Sequence, residues 1–190
     1  NDPKKCGLFF GTGSGKTALA LLLARGATLV VVPKTLKENH AWQKEYARLG
    51  LSFPLTVISK EQLRKEWNTL SLFQTLIVDE AHQVVGATPY FRWRQKKQIP
   101  KVSQLCEALY NYISLARPER IYLVTATITR NPMCVWAAGR MLGKQWNFEK
   151  FRNAFYFKLP VIGKELWMQK KDKAAKELLG KVVRSIGFTG

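Results

Sequence analysis

A glycine-rich segment near the start of the chain, Gly11-Thr12-Gly13-Ser14-Gly15-Lys16-Thr17, has the residue types and the spacing of a phosphate-binding loop. Glycines tolerate positive φ and let the backbone approach a ligand closely, so successive N–H groups can point at phosphate oxygens at the positive end of the following helix. Lys16 would then reach the β- and γ-phosphates of a nucleotide, and the Thr17 hydroxyl would ligate Mg²⁺. Phe10 stands where the usual pattern has another glycine, so a glycine-rich helix entry without a nucleotide is the alternative.

A second chemical feature is the pair of adjacent carboxylates in Asp79-Glu80-Ala81-His82, which follows an apolar run 63 residues after Lys16. Two neighbouring acids are costly at the edge of a core unless a cation or a substrate uses them. We expect Asp79 to hold Mg²⁺, directly or through water, and Glu80 to orient and deprotonate an attacking water. The alternative is an acid pair that caps a following helix. His82 is a candidate only through its place after Asp-Glu-Ala, because a lone histidine is more often structural.

These residues need strand ends to hold them, and the hydrophobic pattern supplies an alternation of strands and helices. Apolar runs predict strands at residues 6–11, 28–32, 55–59, 75–80 and 120–125. Helical patterns cover residues 15–25, 36–49, 61–70, 102–116, 132–142, 147–155 and 170–183. The alternation predicts an α/β fold with an open, mainly parallel sheet flanked by helices and with extra helices at the C-terminal end. The glycine loop and the acid pair would share the carboxyl edge of that sheet, where α/β proteins place their chemistry.

The length and the remaining composition suit one intracellular domain. The 190 residues would bury roughly 70% of the surface of the unfolded chain, and the β-branched run Thr28–Val32 predicts a central strand covered on both faces. Three scattered cysteines without a CxxC pair indicate neither a disulfide framework nor a zinc site, and they favour a reducing cytoplasm. The sequence has no apolar run of about 18 residues and no secretory signal, so we expect no membrane partner. The sequence does not start with Met, and its first predicted strand follows almost at once. We therefore expect it to be a piece of a longer protein.

The charge of the chain is strongly positive, with a formal net charge of +18 and a pI near 10.1. Residues 1–85 carry 11 Lys and Arg against 7 Asp and Glu, whereas residues 86–190 carry 20 against 6. The excess in the second half predicts an anionic partner such as nucleic acid. An acidic membrane surface and a merely soluble basic surface are the weaker alternatives.

One basic stretch stands out at residues 86–100, where Gly86, Pro89 and Pro100 predict an irregular loop. Its basic residues interleave with Phe91 and Trp93, and they are Arg92, Arg94, Lys96 and Lys97, with Lys101 just beyond. Such a surface can grip phosphates and stack on bases or sugars, so we predict nucleic-acid contacts here. The alternative is a solvated charged loop anchored by one buried aromatic.

Two later stretches favour a structural interpretation. The near-helical spacing of four aromatic residues predicts core packing, and these are Trp146, Phe148, Phe151 and Phe155. The charged segment that contains Lys170, Lys171, Lys173 and Lys176 predicts a solvated helix face. The apolar residues expected to turn inward from that helix are Ala174, Ala175, Leu178 and Leu179.

Three motifs taken together carry a family resemblance. Gly-Ser-Gly-Lys-Thr, Asp79-Glu80-Ala81-His82 and Thr125-Ala126-Thr127 follow in this order and resemble motifs I, II and III of superfamily 2 helicases. The chain resembles the first RecA-like domain of these proteins. Residues 31–42 are similar to the motif Ia segment of Swi/Snf-type translocases. Residues 146–156, with their spaced aromatics, are similar to a later segment of the same proteins.

This resemblance implies a role for each matching position. Gly13, Gly15, Lys16 and Thr17 would bind ATP phosphates and Mg²⁺, with Asp79 and Glu80 in the roles given above. His82 with Thr125 or Thr127 would couple the nucleotide site to nucleic acid. Pro33 and Lys34 would contact the phosphodiester backbone. The strand before Thr125 would lie between the strand before the glycine loop and the strand that carries Asp79.

We therefore expect an ATP-hydrolysing motor domain that acts on nucleic acid, and of the two polymers we favour DNA over RNA. A second RecA-like domain of the same protein would supply the arginine finger, which is worth about 10³ to 10⁵ in rate. We therefore expect the chain alone to bind ATP and Mg²⁺ weakly and to hydrolyse ATP slowly or not at all. Ile128 replaces the proline that usually follows Thr-Ala-Thr, and with Phe10 it motivates a nucleic-acid-binding module with a vestigial nucleotide site as the alternative. Another P-loop NTPase, such as a DNA-packaging motor or a small-molecule kinase, is the third possibility.

Overall fold

The computed structural model describes residues 3–94, 97–128, 131–161 and 164–189. Its elements in chain order are β1 (Lys5–Phe9), α1 (Lys16–Leu23), β2 (Thr28–Val32), α2 (Lys34–Glu38), α3 (Ala41–Arg48), β3 (Leu55–Ser59), α4 (Lys60–Glu66), β4 (Thr75–Asp79), β5 (Ala87–Arg94), β6 (Lys97–Val102), α5 (Gln104–Ala116), β7 (Arg120–Val124), α6 (Pro132–Met141), α7 (Phe148–Phe155), β8 (Tyr156–Val161), β9 (Lys164–Gln169), α8 (Lys173–Ile186) and β10 (Gly187–Thr189). A short 3-10 turn, Ala81–Gln83, follows β4.

The described residues form a central sheet of six strands in the order β10-β1-β7-β4-β2-β3, and all of its pairings are parallel. The predicted α/β architecture is thereby confirmed. β7 lies between β1 and β4, as the resemblance implied. The carboxyl ends of β1, β4 and β7 consequently meet at one edge of the sheet.

The core lies on both faces of this sheet because side chains alternate along each strand. In β2, Val30 and Val32 pack with Trp42 of α3 on one face, whereas Leu29 and Val31 face the opposite core. The first face is covered by α1 and α3, and the second by α4, α5, α6 and α8. Every residue of β2 is buried, which confirms the prediction of a central strand covered on both sides.

The helix predicted over residues 36–49 is wrong in its continuity, because the structure divides it into α2 and α3. His40 has a φ of 52°, in the left-handed region. The chain changes direction at this residue, so α2 ends before it and α3 begins after it. Trp42 is thereby turned into the core, where it is 1% exposed. In the described part of the chain, no helix is long and apolar enough to span a lipid bilayer.

The irregular loop predicted at residues 86–100 is also wrong, since β5 and β6 pair there as an antiparallel hairpin with a register shift between Ala87 and Phe91. Phe91 anchors this hairpin through a ring contact with Phe148, at a centroid separation of 4.7 Å. A second hairpin, β8 with β9, lies between the helices predicted over residues 147–155 and 170–183, where the sequence predicted no element. In both hairpins each strand obtains its backbone hydrogen bonds from the partner strand, and the residue pattern of one segment alone does not reveal that partner.

The core prediction for the late aromatic residues is confirmed. Phe148, Phe151 and Phe155 are buried, and Trp146 stacks on Phe151 at 5.4 Å. In α8 the prediction is half right, because Ala175 and Leu179 are buried but Ala174 and Leu178 are exposed. The buried stripe of α8 continues from Leu179 through Val183 to Ile186. Residues at this spacing lie on a single face of a helix, so one face of α8 packs on the core.

Candidate functional site

The glycine loop lies between the carboxyl end of β1 and the first turn of α1, in the predicted strand, loop and helix context. Gly13 and Gly15 both have a φ of 75°, a conformation that side-chain-bearing residues rarely adopt. A Cβ built on Gly11, Gly13 or Gly15 would meet no heavy atom of the described structure within 4 Å. The main chain of the loop therefore faces open space, which suits the close approach of an anion.

The cationic group of this loop is Lys16, the first residue of α1. Its Nζ donates to the main-chain oxygens of Phe10 at 3.0 Å and Gly11 at 2.6 Å. Ser14 Oγ also donates to the Gly11 oxygen, at 2.8 Å. Among the described residues no side chain caps the N-terminus of α1, so its first N–H groups and the Lys16 ammonium form a positive end that fits the phosphates of a nucleotide.

Asp79, the last residue of β4, is buried at 8% exposure and has both carboxylate oxygens in hydrogen bonds. Oδ2 accepts from the indole Nε1 of Trp42 at 3.0 Å, and Oδ1 accepts from the backbone N–H of Glu80 at 2.8 Å. Burial raises the pKa of Asp79, although these two hydrogen bonds oppose the shift. The carboxylate is thus held in one orientation, with its remaining lone pairs free to accept from water or to ligate a cation.

Glu80, His82 and Thr125 form a connected polar group across the ends of β4 and β7. Glu80 has φ 46° and ψ 50°, and its Oε2 lies 3.2 Å from Nδ1 of His82. The same Nδ1 is 2.8 Å from Thr125 Oγ1, which accepts from the backbone N–H of Thr127 at 3.2 Å. The structure therefore brings together the predicted catalytic carboxylate and both predicted coupling threonines, with His82 between them.

Lys60 is a site residue that the sequence reasoning missed. It is the first residue of α4, is 5% exposed, and donates from Nζ to the main-chain oxygen of Glu80 at 3.1 Å and to Gln83 Oε1 at 2.9 Å. Burial lowers the pKa of Lys60 to about 8, while the carboxylates of Asp79 and Glu80 oppose the change. The available signal was its position directly after β3, at the same carboxyl edge as the acid pair.

The Mg²⁺ that the site residues imply would have Thr17 and Asp79 as protein ligands. No group of three or more His, Cys, Asp or Glu that could hold a metal by itself occurs in the described ranges. Mg²⁺ in phosphate-transfer sites is bound by one or two side chains together with substrate phosphates and water, so the residues present fit it. The open glycine loop and the fixed Asp79 carboxylate are the observations that support this fit.

The predicted nucleic-acid residues fall into two groups. Pro33 precedes α2 and Lys34 opens it, next to a cavity of about 520 Å³ whose lining includes Lys37, His40 and Lys65. This cavity lies at the carboxyl ends of β2 and β3, and its lining also includes the carboxylates of Glu38 and Glu61, so the charge around it is mixed. Lys34 itself is highly exposed, pairs with Glu38 at 3.7 Å, and its charge helps to lower the pKa of Glu61.

The hairpin residues are distributed differently. Arg92 is 32% exposed and forms an ion pair with Glu107 of α5 at 2.7 Å, which reduces its availability to phosphate. Arg94 and Lys97 are opposite each other in the backbone register at the end of the hairpin. Lys96 lies outside the described residues. Phe91 is partly buried and packs against the core, so an aromatic anchor of the kind that the alternative interpretation expects is present, although it is not fully buried.

Comparisons with known proteins give one informative result. No protein-family model matches the chain, and no curated protein matches it. Among solved structures, the helicase domain of Hef from Pyrococcus furiosus is similar, with a TM-score of 0.53 and 18% sequence identity over 80% of this chain. The chain spans 38% of the length of that structure. The likeness is one of fold alone: the chain has a RecA-like α/β fold, as that helicase domain does.

Proposed function

We propose that this chain is the ATP-binding motor domain of a superfamily 2 helicase or DNA translocase, which couples ATP hydrolysis to the remodelling of nucleic acid. The observation that carries the proposal is the convergence of the glycine loop, the acid pair and the Thr125 segment at one edge of the sheet. Asp79 with Glu80, His82 and Thr125 form a continuous polar chain there. The helicase fold is consistent with this assignment.

In this proposal the residues of the chain divide the work of hydrolysis. Lys16 exchanges its two loop carbonyls for phosphate oxygens, and the N–H groups of the glycine loop donate to the same phosphates. Glu80 orients the attacking water and accepts its proton, and His82 fixes the direction of the Glu80 carboxylate. Asp79 and Thr17 would hold Mg²⁺, which would offset negative charge on the phosphates when bound.

Coupling and polymer binding would use neighbouring parts of the same edge. The Thr125 hydroxyl contacts His82, so a change at the Glu80 carboxylate can reach residues 125–127 through two contacts. Pro33, Lys34 and the cavity at the ends of β2 and β3 would hold the phosphodiester backbone. The uneven charge of the chain, with its excess in residues 86–190, supports an anionic polymer as partner, and we favour DNA over RNA.

A complete ATPase cleft would need a second RecA-like domain of the same protein to supply the arginine finger, worth about 10³ to 10⁵ in rate. The chain by itself should therefore bind ATP and Mg²⁺ weakly and turn ATP over slowly. Brisk DNA-stimulated hydrolysis by this chain alone would contradict the requirement for a second domain.

The test is the Glu80→Gln change in the full-length protein, with ATP binding and DNA-stimulated hydrolysis measured separately. Hydrolysis should disappear while ATP binding persists, because the amide keeps the shape of the side chain but cannot accept a proton. Lys16→Ala should weaken ATP binding itself. Lys44→Met, at an exposed position on α3, is the control and should change neither quantity.

A nucleic-acid-binding module with a vestigial nucleotide site is the second candidate. Lys16 bonded to the carbonyls of Phe10 and Gly11 is the observation that favours it, since the cation is already satisfied by the loop. In that case Glu80→Gln would leave all activities of the protein unchanged, and ATP would not bind to the wild type.

A further inference from the structure

Lys60 is an unusual residue because its ammonium is buried and both of its hydrogen-bond acceptors are neutral. Burial of a lysine is costly unless the charge is well compensated. Here Nζ donates to the main-chain oxygen of Glu80 and to the side-chain amide oxygen of Gln83, which closes the turn after β4. A salt bridge for stability alone would use a carboxylate oxygen, so these acceptors indicate a role in shaping the turn.

The turn that Lys60 holds contains a strained residue. Glu80 lies in the left-handed region at φ 46°, which is unfavourable for a residue that carries a side chain. Such a conformation persists only where the surroundings determine it. The bond from Lys60 fixes the peptide plane that follows Glu80, and this plane helps to set the direction of the Glu80 side chain. That side chain is the one that contacts His82.

Lys60 is itself held firmly at its backbone. Ser59 and Gln62 form a reciprocal capping box, with Ser59 Oγ accepting from the Gln62 N–H and Gln62 Oε1 accepting from the Ser59 N–H. Lys37 of α2 also donates to Gln62 Oε1. The Cα of Lys60 is therefore fixed at the start of α4, and its long side chain reaches from the end of β3 past β2 to the end of β4.

We propose that Lys60 is a positioning residue that holds Glu80 in the left-handed conformation required to aim its carboxylate at the attacking water. The proposal rests on the proposed ATPase function of the same site. It assigns to Lys60 no contact with the nucleotide, so its loss should affect the catalytic step and leave nucleotide binding intact.

The experiment compares Lys60→Met, Lys60→Arg and the exposed control Lys44→Met in the full-length protein. The affinity for a fluorescent ATP analogue and the kcat of DNA-stimulated hydrolysis are measured for each. We expect Lys60→Met to lower kcat about 10-fold or more, because a misplaced catalytic group can cost up to about 100-fold, with nucleotide affinity within about twofold of the wild type. Lys60→Arg, which keeps a charged donor, should recover most of the lost kcat, and Lys44→Met should match the wild type.

Several results would overturn the inference. Lys60→Met with the kcat of the wild type would overturn it while the proposed ATPase function stood. Equal losses in nucleotide affinity and kcat, with no recovery by Lys60→Arg, would mean that Lys60 only supports the fold. A wild-type protein that neither binds nor hydrolyses ATP would overturn the proposed function and this inference together.

A second variant keeps the inference testable if Lys60→Met does not fold. Gln83 is exposed, so Gln83→Met should preserve the fold while removing one of the two acceptors of Lys60. Because one of the two acceptors that hold the ammonium is lost, kcat should fall by about twofold to fivefold without a change in nucleotide affinity. An unchanged kcat in Gln83→Met, together with an unfolded Lys60→Met, would assign Lys60 to the fold alone.

Discussion

Trp42→Phe should destabilise the protein through the loss of one hydrogen bond to a buried charge. Trp42 is 1% exposed, Asp79 is 8% exposed, and the indole N–H lies 3.0 Å from the carboxylate. A hydrogen bond to a charged group contributes about 1.5–3 kcal/mol, and phenylalanine keeps the aromatic packing but removes the donor. The loss is a large part of a typical unfolding free energy of about 5–15 kcal/mol, yet small enough for the variant to fold.

Trp136→Phe is a matched control for this change. Trp136 is also 1% exposed, but its Nε1 donates at 3.2 Å to a neutral acceptor, the main-chain oxygen of Trp146. Both substitutions remove the same ring atoms, whereas the hydrogen bond lost in Trp136→Phe is worth only about 0.5–1.5 kcal/mol. The unfolding free energy of Trp42→Phe should therefore fall below that of Trp136→Phe by about 1 kcal/mol or more at neutral pH.

Urea unfolding of Trp42→Phe, Asp79→Asn and the double variant gives the coupling between the two side chains as a mutant cycle. The indole bond lowers the pKa of Asp79 against a burial that raises it, so its removal raises this pKa further. An acid whose pKa is raised in the folded state loses stability as the pH rises through that pKa, so the penalty of Trp42→Phe should shrink in acid, where Asp79 is protonated. A coupling energy below about 0.5 kcal/mol at pH 7 would refute the importance of this bond.

Three further changes have defined outcomes. Gly13→Ala should lower stability by about 1–2 kcal/mol, by urea unfolding, because its φ is 75°, whereas Gly11→Ala at a position without positive φ should cost less. A lysine whose pKa is lowered on folding destabilises the protein only while it is charged. The unfolding free energy of the wild type, measured relative to that of Lys60→Met, should therefore rise between about pH 8 and pH 10.5, by at most about 3 kcal/mol. Lys34→Ala should reduce the log–log salt slope of duplex DNA binding by about 0.9, measured by anisotropy, whereas Lys44→Ala should leave the slope unchanged.

The sheet was predictable wherever the signal was local. The run Thr28–Val32 is β-branched at four of its five residues and lies fully buried between β3 and β4, as its pattern indicated. β10 was not predicted, because three residues that begin with glycine carry no periodicity. This strand exists through its pairing with β1, where a Cβ on Gly187 would lie 2.6 Å from the Gly7 oxygen and 2.8 Å from the Phe9 ring. That close approach depends on residues about 180 positions apart in the chain, which a local pattern cannot reveal.

The site divides in the same way. The glycine loop and the acid pair are contiguous motifs whose chemistry follows from their own residues, so the sequence placed both at strand ends. The contacts made by Lys60 depend on the strand order, since β3 and β4 are separated by β2 and the Lys60 side chain must reach past the end of β2. The bond from Trp42 depends on the break at His40, which the helical pattern of residues 36–49 concealed.

The carboxyl edge of the sheet concentrates several features that oppose stability. Asp79 is a buried acid, Lys60 is a buried base, and Glu80 occupies a strained conformation, all within the turn between β4 and the 3-10 segment or bonded to it. Each feature is compensated by another, because the two opposite charges lower the cost of burying each other and the Lys60 bond holds the strained residue. An apolar edge would have avoided all three costs. Their accumulation at the sheet edge beside the glycine loop supports the proposed function, because strained and charged groups cluster at functional sites.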